Sequence, residues 1–194
     1  MDMNLPNLLT WLRILLIPLF IGVFYVPDSW LTMTERNIIA TGLFAVAAIT
    51  DWLDGYLARA LNQTSAFGAF LDPVADKLMV AAALILLVNL QRVDALIAVV
   101  IIGREITISA LREWMAKIGQ SRNVAVHFLG KLKTGCQMAA ILMLLFYMPL
   151  FGIPIQPLGT ILMYLAALLT LWSMGYYLRR SVPSMGLNED KKPL

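Results

Sequence analysis

Residues 51–77 read DWLDGYLARALNQTSAFGAFLDPVADK and place four aspartates in one short stretch between long apolar segments. The four are Asp51, Asp54, Asp72 and Asp76. Charged side chains within apolar spans are costly and usually mark a functional interior. This stretch is therefore the leading candidate for a functional site.

The composition is that of a membrane protein. The chain has 194 residues, of which 60% are hydrophobic and only 14% are charged, and its mean hydropathy is +0.76. A soluble domain carries about 25% charged residues, which argues against a soluble globular protein. The net charge of +3 is not arranged as a stripe that would bind nucleic acid, so we expect no nucleic-acid partner. The single cysteine, Cys136, allows no internal disulfide.

Six apolar segments are long enough to cross a bilayer, for which about 20 residues suffice. We predict an all-α, polytopic integral membrane protein with six transmembrane helices. Residues 1–180 would form one catalytic domain, and residues 181–194 would form a short polar cytoplasmic tail. A five-helix count follows if the segments around residue 100 are re-entrant. The predicted spans are approximately 5–26, 36–60, 70–90, 94–115, 124–149 and 156–178.

Lysine and arginine residues are distributed unevenly between the two ends of these spans. The loops at one end contain only Arg36 and Arg92. Because basic residues favour the cytoplasmic side, we predict a multi-pass protein of the inner (cytoplasmic) membrane, with both termini and the aspartates on the cytoplasmic side. The basic residues at that side are Arg59, Arg112, Lys117, Arg122, Lys131, Lys133, Arg179, Arg180, Lys191 and Lys192.

The spacing of the aspartates favours a metal site. Asp51 and Asp54 share one helix face, and Asp72 and Asp76 are one turn apart on the next helix. Two adjacent helices would direct the four carboxylates to one point, where their mutual repulsion calls for divalent cations. An all-oxygen ligand set suits two Mg²⁺ or Mn²⁺ ions, and paired metals suit phosphoryl-type displacement. Salt bridges to nearby basic residues are the alternative, but they would account for only two of the four aspartates.

The stretch also resembles a known family signature. Its fixed positions are Asp51-x₂-Asp54-Gly55-x₂-Ala58-Arg59-x₈-Gly68-x₃-Asp72-x₃-Asp76. All eight are similar to the signature of the CDP-alcohol phosphatidyltransferase family. The segments NLPNLLTWLRILLIPLF, GREITISALREWMA and GKLKTGCQM resemble members of that family whose acceptor is glycerol 3-phosphate. The resemblance implies the fold of that family, a CDP-diacylglycerol donor and a homodimer.

The resemblance also implies roles for individual residues. Asp51, Asp54 and Asp72 would ligate the two metal ions, and Asp76 would act as general base, as ligand or as both. The acceptor hydroxyl would attack the phosphorus that carries diacylglycerol, and CMP would leave. The residues lining the CDP-binding site would be Gly55, Ala58, Arg59 and Gly68.

A polar cluster opens the first predicted helix. Asn7 and Thr10 correspond to a cluster that lies near the nucleotide in the family, so we expect them to contribute to CDP binding. The alternative is that one of them caps the helix and that Arg13 extends towards the lipid headgroups.

Four basic residues beside the fourth and fifth spans predict a pocket for the phosphate of the acceptor. Arginine suits bidentate phosphate contact, and lysine supplies a mobile positive charge. Membrane topology and headgroup contact are the alternative explanation, which we assign to Lys117 and Arg122. Glu105 is expected to orient a neighbouring cation rather than to catalyse. The predicted acceptor-phosphate residues are Arg104, Arg112, Lys131 and Lys133.

Together with these patterns, the resemblance implies a membrane phosphatidyltransferase that converts CDP-diacylglycerol and glycerol 3-phosphate to phosphatidylglycerophosphate and CMP, within phosphatidylglycerol and cardiolipin synthesis. The aspartate signature handles the common donor, so cardiolipin, phosphatidylserine and inositol-phosphate types of transferase stay open. A divalent-cation transporter is a remote alternative, because intramembrane acids also mark ion paths, but it needs neither Gly55 nor Arg59. An aspartate-rich prenyltransferase would repeat its motif in a second segment, and this sequence has no such repeat.

Overall fold

The computed structural model describes residues 5–60, 66–117 and 127–181. Over these residues the chain forms six α-helices and no extended strand. This confirms the all-α prediction and the number of helices. The predicted tail, residues 181–194, lies almost entirely outside the described residues. The helices are α1 (Leu5–Gly22), α2 (Met33–Ala60), α3 (Ala66–Asn89), α4 (Ala95–Lys117), α5 (His127–Phe146) and α6 (Gln156–Ser181).

Local sequence signals account for two of the connections. Before α2, the Thr32 hydroxyl accepts the Glu35 N–H (3.3 Å) and the Glu35 carboxylate accepts the Thr32 N–H (2.8 Å). This reciprocal capping satisfies backbone donors that the first helical turn leaves unpaired. Between α5 and α6, Phe151 and Gly152 have φ values of 51° and 80°. Their flanking residues exchange two backbone hydrogen bonds, as in a tight two-residue turn.

The helices pack into one bundle, in which α1 contacts α2 and α3, while α6 contacts α4 and α5. A glycine lies where α5 and α6 approach closely. A Cβ atom added to Gly159 of α6 would lie 3.0 Å from Cβ of Met143 and 3.1 Å from Cγ of Leu144, both on α5. Larger apolar side chains fill the remaining interior, including Phe20 and Phe44, whose ring centroids are 6.2 Å apart. Close approach at small residues is typical of helix packing within membranes.

The outer surface of the bundle is largely apolar. Leu15, Ile85 and Trp172 are 65%, 63% and 73% exposed, respectively. By length and composition, two helical segments in the described residues could cross a membrane, Leu8–Tyr25 and Gln156–Gly175. Helices α2, α3 and α4 carry several charged residues within their length. These features agree with a membrane protein.

At the end of the bundle opposite the aspartates, arginine side chains join several parts of the chain by hydrogen bonds. Arg92, between α3 and α4, donates to two carbonyl oxygens in the last turn of α5 (2.9 and 3.0 Å) and to Asn37 Oδ1 on α2 (2.9 Å). Its guanidinium carbon lies 4.1 Å from the centre of the Tyr147 ring. Arg36 Nη2, in the first turn of α2, donates to Oδ1 of Asp28 in the preceding loop at 2.5 Å. The two basic residues at this end therefore interact with the protein itself.

Candidate active site

Helices α2 and α3 bring the described aspartates of the signature to the same end of the bundle, where α1 contacts them. Asp51 lies in the second half of α2, while Asp72 and Asp76 lie in the first half of α3. Thr10 Oγ1 on α1 donates a hydrogen bond to Asp72 Oδ1. Arg13 Nη1, one turn later on α1, donates to Asp51 Oδ1 at 2.6 Å. The first helix therefore connects both aspartate-bearing helices through side-chain hydrogen bonds.

Arg13 and Thr10 are interior residues. Arg13 is 1% exposed and Thr10 is 0% exposed, and Thr10 lies more than one turn inside α1. The alternative in which Thr10 caps the helix and Arg13 extends to the headgroups is therefore wrong. A buried guanidinium requires a charged or strongly polar partner, and Asp51 provides one.

Asp76 lies at the junction of several charged groups. This partly buried carboxyl group is close enough to interact electrostatically with Asp51, Arg13, Glu105 and Lys77. It also lines a small internal cavity between α1, α2, α3 and α5. Asp76 thus lies between the ion pair of α1 and α2 and the polar residues of α4.

The aspartates have the chemistry of a site for hard divalent cations, because they offer only carboxylate oxygens. Among the side chains that the structure describes, no three Asp, Glu, His or Cys residues form a group that could hold a metal ion. Asp54 follows Asp51 by one turn on α2, but its side chain lies outside the described part of the chain. The donor set therefore fits the ions chemically, and the four-aspartate, two-metal arrangement stays a prediction.

The expected CDP-binding residues lie near the same end of these helices. Gly55, Ala58 and Arg59 are in the last two turns of α2, and Gly68 is buried in the first turn of α3. Asn7 is in the first turn of α1. The side chains of Asn7, Ala58 and Arg59 lie outside the described residues, so the helix positions alone place these residues beside the aspartates.

Two of the four predicted acceptor-site residues meet at one carboxylate. Arg104 Nη1 donates to Glu105 Oε1 at 3.0 Å, and Lys133 Nζ donates to the same oxygen. Arg104 Nη2 donates to Ser173 Oγ at 3.0 Å. Arg104 and Lys133 are only 8% and 4% exposed. This polar cluster, comprising Arg104, Glu105, Lys133 and Ser173, connects α4, α5 and α6 inside the bundle.

The other basic residues of this region are less informative. Arg112 is on α4 and Lys131 is on α5, but both side chains lie outside the described residues, as does Arg122. Lys117 is 72% exposed and pairs with Glu113 one turn earlier at 3.0 Å. Such an exposed pair contributes little stability, and it agrees with the role in membrane topology that we assigned to Lys117.

Sequence reasoning did not single out Ser173. It lies near the end of an apolar helix and is 6% exposed, and its hydroxyl donates to the Thr170 carbonyl at 2.9 Å while accepting from Arg104. Thr170 and Ser173 are three residues apart and therefore share one helix face. This pair of polar residues on one face of an apolar helix is the sequence feature that could have identified Ser173.

Comparison with known proteins now identifies the family. The model of the family described as CDP-alcohol phosphatidyltransferase matches residues 3–172. A CDP-diacylglycerol–glycerol-3-phosphate 3-phosphatidyltransferase of Pseudomonas fluorescens is 53% identical over 195 residues, which cover 98% of this chain and 96% of that protein. Proteins of the same name from Salmonella typhi and Escherichia coli (strain K12) are each 49% identical over 180 residues, covering 92% of this chain and 94% of theirs. With its signature aspartates on two neighbouring helices and a match over most of its length, the chain belongs to the CDP-alcohol phosphatidyltransferase family.

Proposed function

We propose that this protein transfers the phosphatidyl group of CDP-diacylglycerol to glycerol 3-phosphate, which yields phosphatidylglycerophosphate and CMP. The observation that carries the proposal is the 49% to 53% identity, over nearly the whole chain, to proteins named for this reaction. The intact aspartate signature supports the same chemistry. The product would enter phosphatidylglycerol and cardiolipin synthesis.

Divalent metal ions are generally used by this family. In this chain Asp51, Asp54 and Asp72, together with Asp76, would hold two Mg²⁺ or Mn²⁺ ions. When bound, such ions neutralise the donor's phosphate oxygens and lower the pKa of a nearby hydroxyl group. The described hydrogen bonds from Thr10 and Arg13 support this assignment, because they orient Asp72 and Asp51 from the neighbouring helix.

Asp76 is the proposed general base. Its carboxylate would accept the proton of the acceptor hydroxyl as that oxygen forms a bond to the phosphorus carrying diacylglycerol. The bond from this phosphorus to the CMP oxygen breaks, and CMP leaves with the electron pair. The position of Asp76 among several charged groups supports this role, since a base must lie within reach of the reacting groups.

The donor nucleotide would bind where the end of α2 and the starts of α1 and α3 meet. Small residues in this region allow the backbone to approach the diphosphate, and an arginine can pair with phosphate oxygens. The helix positions of these residues support the assignment. The proposed CDP-binding residues are Asn7, Thr10, Gly55, Ala58, Arg59 and Gly68.

The phosphate of the acceptor would bind to the basic residues of α4 and α5. The convergence of Arg104 and Lys133 on one carboxylate oxygen supports this proposal, because it brings two cations close enough to contact a single phosphate group. Arg112 and Lys131 would complete the pocket.

The proposed arrangement in the membrane has six spans, with the site and both termini on the cytoplasmic side of the inner membrane. The apolar outer surface supports membrane insertion. Arg36, which is buried, and Arg92, which is partly buried, support the orientation from the opposite end, because these basic residues have structural partners in the protein. A lipid donor and a soluble acceptor would then reach the site from the bilayer and the cytoplasm. A homodimer remains part of the proposal through the family resemblance.

The proposed function can be tested by CMP release from purified protein in mixed micelles containing CDP-diacylglycerol and Mg²⁺, with one acceptor added at a time. We expect release with glycerol 3-phosphate and its loss when EDTA is added. Release only with serine, inositol phosphate or phosphatidylglycerol would preserve the transfer chemistry but overturn the acceptor. The absence of release with every acceptor, from folded protein, would reject the transferase.

A further inference from the structure

We propose that Glu105 is a positioning residue for the acceptor phosphate. Its Oε1 atom would hold Arg104 and Lys133 at a separation that one phosphate group can bridge, while Ser173 would fix the other side of the Arg104 guanidinium. This inference rests on the proposed function, because it requires an acceptor that carries a phosphate. It adds to that function a carboxylate on α4 and a hydroxyl on α6 as determinants of acceptor affinity.

The shared hydrogen-bond acceptor is the first line of support. Arg104 Nη1 and Lys133 Nζ both donate to Glu105 Oε1. Two donors on one oxygen can be separated by no more than about twice a hydrogen-bond length of roughly 3 Å. Arg104 and Lys133 come from different helices, so without a shared partner their like charges would separate them. The carboxylate therefore holds the two cations together before any ligand arrives.

The burial of this cluster is the second line of support. Arg104 and Lys133 are almost fully buried, whereas Glu105 is 28% exposed. The shared carboxylate therefore reaches the edge of the buried cluster, where a soluble anion could approach the cations. Among Arg104, Lys133 and Glu105, two positive charges and one negative charge leave a net positive charge, which can attract an anion, although Asp76 also lies close enough to Glu105 to interact with it.

An unsatisfied donor is the third line of support. Arg104 Nε is buried and has no hydrogen-bond partner among the described residues, while both terminal nitrogens of the same guanidinium are bonded. Buried donors are rarely left unpaired, because the loss of hydration costs about 1–3 kcal/mol. An anionic ligand at this cluster would supply the missing acceptor.

The test compares Glu105→Gln with wild type in the CMP-release assay. Glutamine keeps the length of the side chain but removes its charge, and charge-assisted hydrogen bonds are roughly twice as strong as neutral ones. We expect the KM for glycerol 3-phosphate to rise about tenfold, a loss of about 1.4 kcal/mol. The KM for CDP-diacylglycerol and the kcat at saturating acceptor should stay within about threefold of wild type, because a fully occupied acceptor site restores the geometry.

Glu113→Gln is the matched control, because Glu113 lies two turns later on the same helix and is 70% exposed. This variant should keep both KM values. Ser173→Ala removes only the α6 contact to Arg104. It should therefore raise the acceptor KM by a smaller factor of about threefold. If Glu105→Gln does not fold, Ser173→Ala provides the test.

Two outcomes would overturn the inference. An unchanged or lower acceptor KM in folded Glu105→Gln would show that Glu105 only neutralises positive charge. A loss of kcat in Glu105→Gln that persists when both substrates are saturating would indicate a general structural role. A normal acceptor KM in Ser173→Ala would indicate the same. Failure of wild type to release CMP with glycerol 3-phosphate would instead refute the proposed function, so the two failures are distinguishable.

Discussion

At the residue scale, three buried cations near the aspartates have carboxylate partners. Arg13 pairs with Asp51, and Arg104 and Lys133 share Glu105. Removing one member of a buried pair leaves the other charge uncompensated, which is more costly than losing the attraction alone. The end of the bundle that carries the aspartates therefore also holds cations whose partners lie on neighbouring residues and helices.

The aspartates give the most direct prediction at this scale. Asp54→Ala and Asp76→Ala should each abolish turnover, since one removes a proposed metal ligand and the other removes the base. Loss of a general base alone costs about 100-fold to 10,000-fold in rate. CMP release with glycerol 3-phosphate measures the effect, and thermal unfolding in detergent checks that each variant is folded. Near-normal activity in either folded variant would refute the two-metal account.

The sequence singled out aspartates that the structure brings to one end of the bundle. The aspartate signature selected Asp51, Asp72 and Asp76, which lie near the same end of two helices that both contact α1. The contacts of Thr10 with Asp72 and of Arg104 with Ser173 were not predictable. They depend on how each helix is rotated and paired, and these properties follow from packing across the whole bundle rather than from local spacing.

At the element scale, the ends of the helices are set by local chemistry more than by the length of an apolar segment. The second span was predicted to begin at residue 36, but α2 begins at Met33 because Thr32 and Glu35 cap it. The first span was predicted to end at residue 26, but α1 ends at Gly22 and a short 3-10 helix follows. Counting apolar residues located the helices and left their ends several residues uncertain, because capping hydrogen bonds are independent of hydropathy.

The network around Arg92 gives the prediction for helix association. Arg92→Ala removes hydrogen bonds to α2 and α5 and leaves Asn37 Oδ1 without this donor. We expect a destabilisation of about 2 kcal/mol, since bonds to charged groups contribute about 1.5–3 kcal/mol each and relaxation recovers part of the loss. Thermal unfolding in detergent should show a lower Tm, with little change in the KM for glycerol 3-phosphate.

The control for this experiment is Lys117→Ala, because Lys117 is exposed and forms only a surface ion pair with Glu113 among the contacts described. Its Tm should remain close to wild type. Equal Tm values for wild type and Arg92→Ala would show that this network does not stabilise the bundle.

At the scale of the whole molecule, the bundle is polarised between its two ends. One end carries the aspartates and the cluster of Arg104, Glu105 and Lys133, while the other carries the network of Arg92. The apolar outer surface between the two ends suits a lipid environment. This polarity explains how a lipid donor and a charged acceptor could meet, because the reactive end would lie at one interface of the membrane.

The proposed orientation predicts which positions are labelled from each side of the membrane. After replacement of the single cysteine by Cys136→Ser, the variants Asp94→Cys and Lys117→Cys introduce thiols at exposed positions on opposite ends of the bundle. A membrane-impermeant maleimide applied to the outer face of the inner membrane should label the first variant and not the second. Inverted vesicles should show the reverse. Labelling of both positions from the same face would contradict the six-span arrangement.

The most direct test of the central claim follows the acceptor into the product. Purified protein would be given CDP-diacylglycerol, Mg²⁺ and radiolabelled glycerol 3-phosphate, and the lipid fraction would be extracted and identified by mass spectrometry. The account predicts that label appears in phosphatidylglycerophosphate in equal molar amount to the CMP released, and that EDTA or Asp76→Ala prevents both. Folded wild-type protein that releases CMP without transferring label to lipid, or that transfers label equally well after Asp76→Ala, would contradict it.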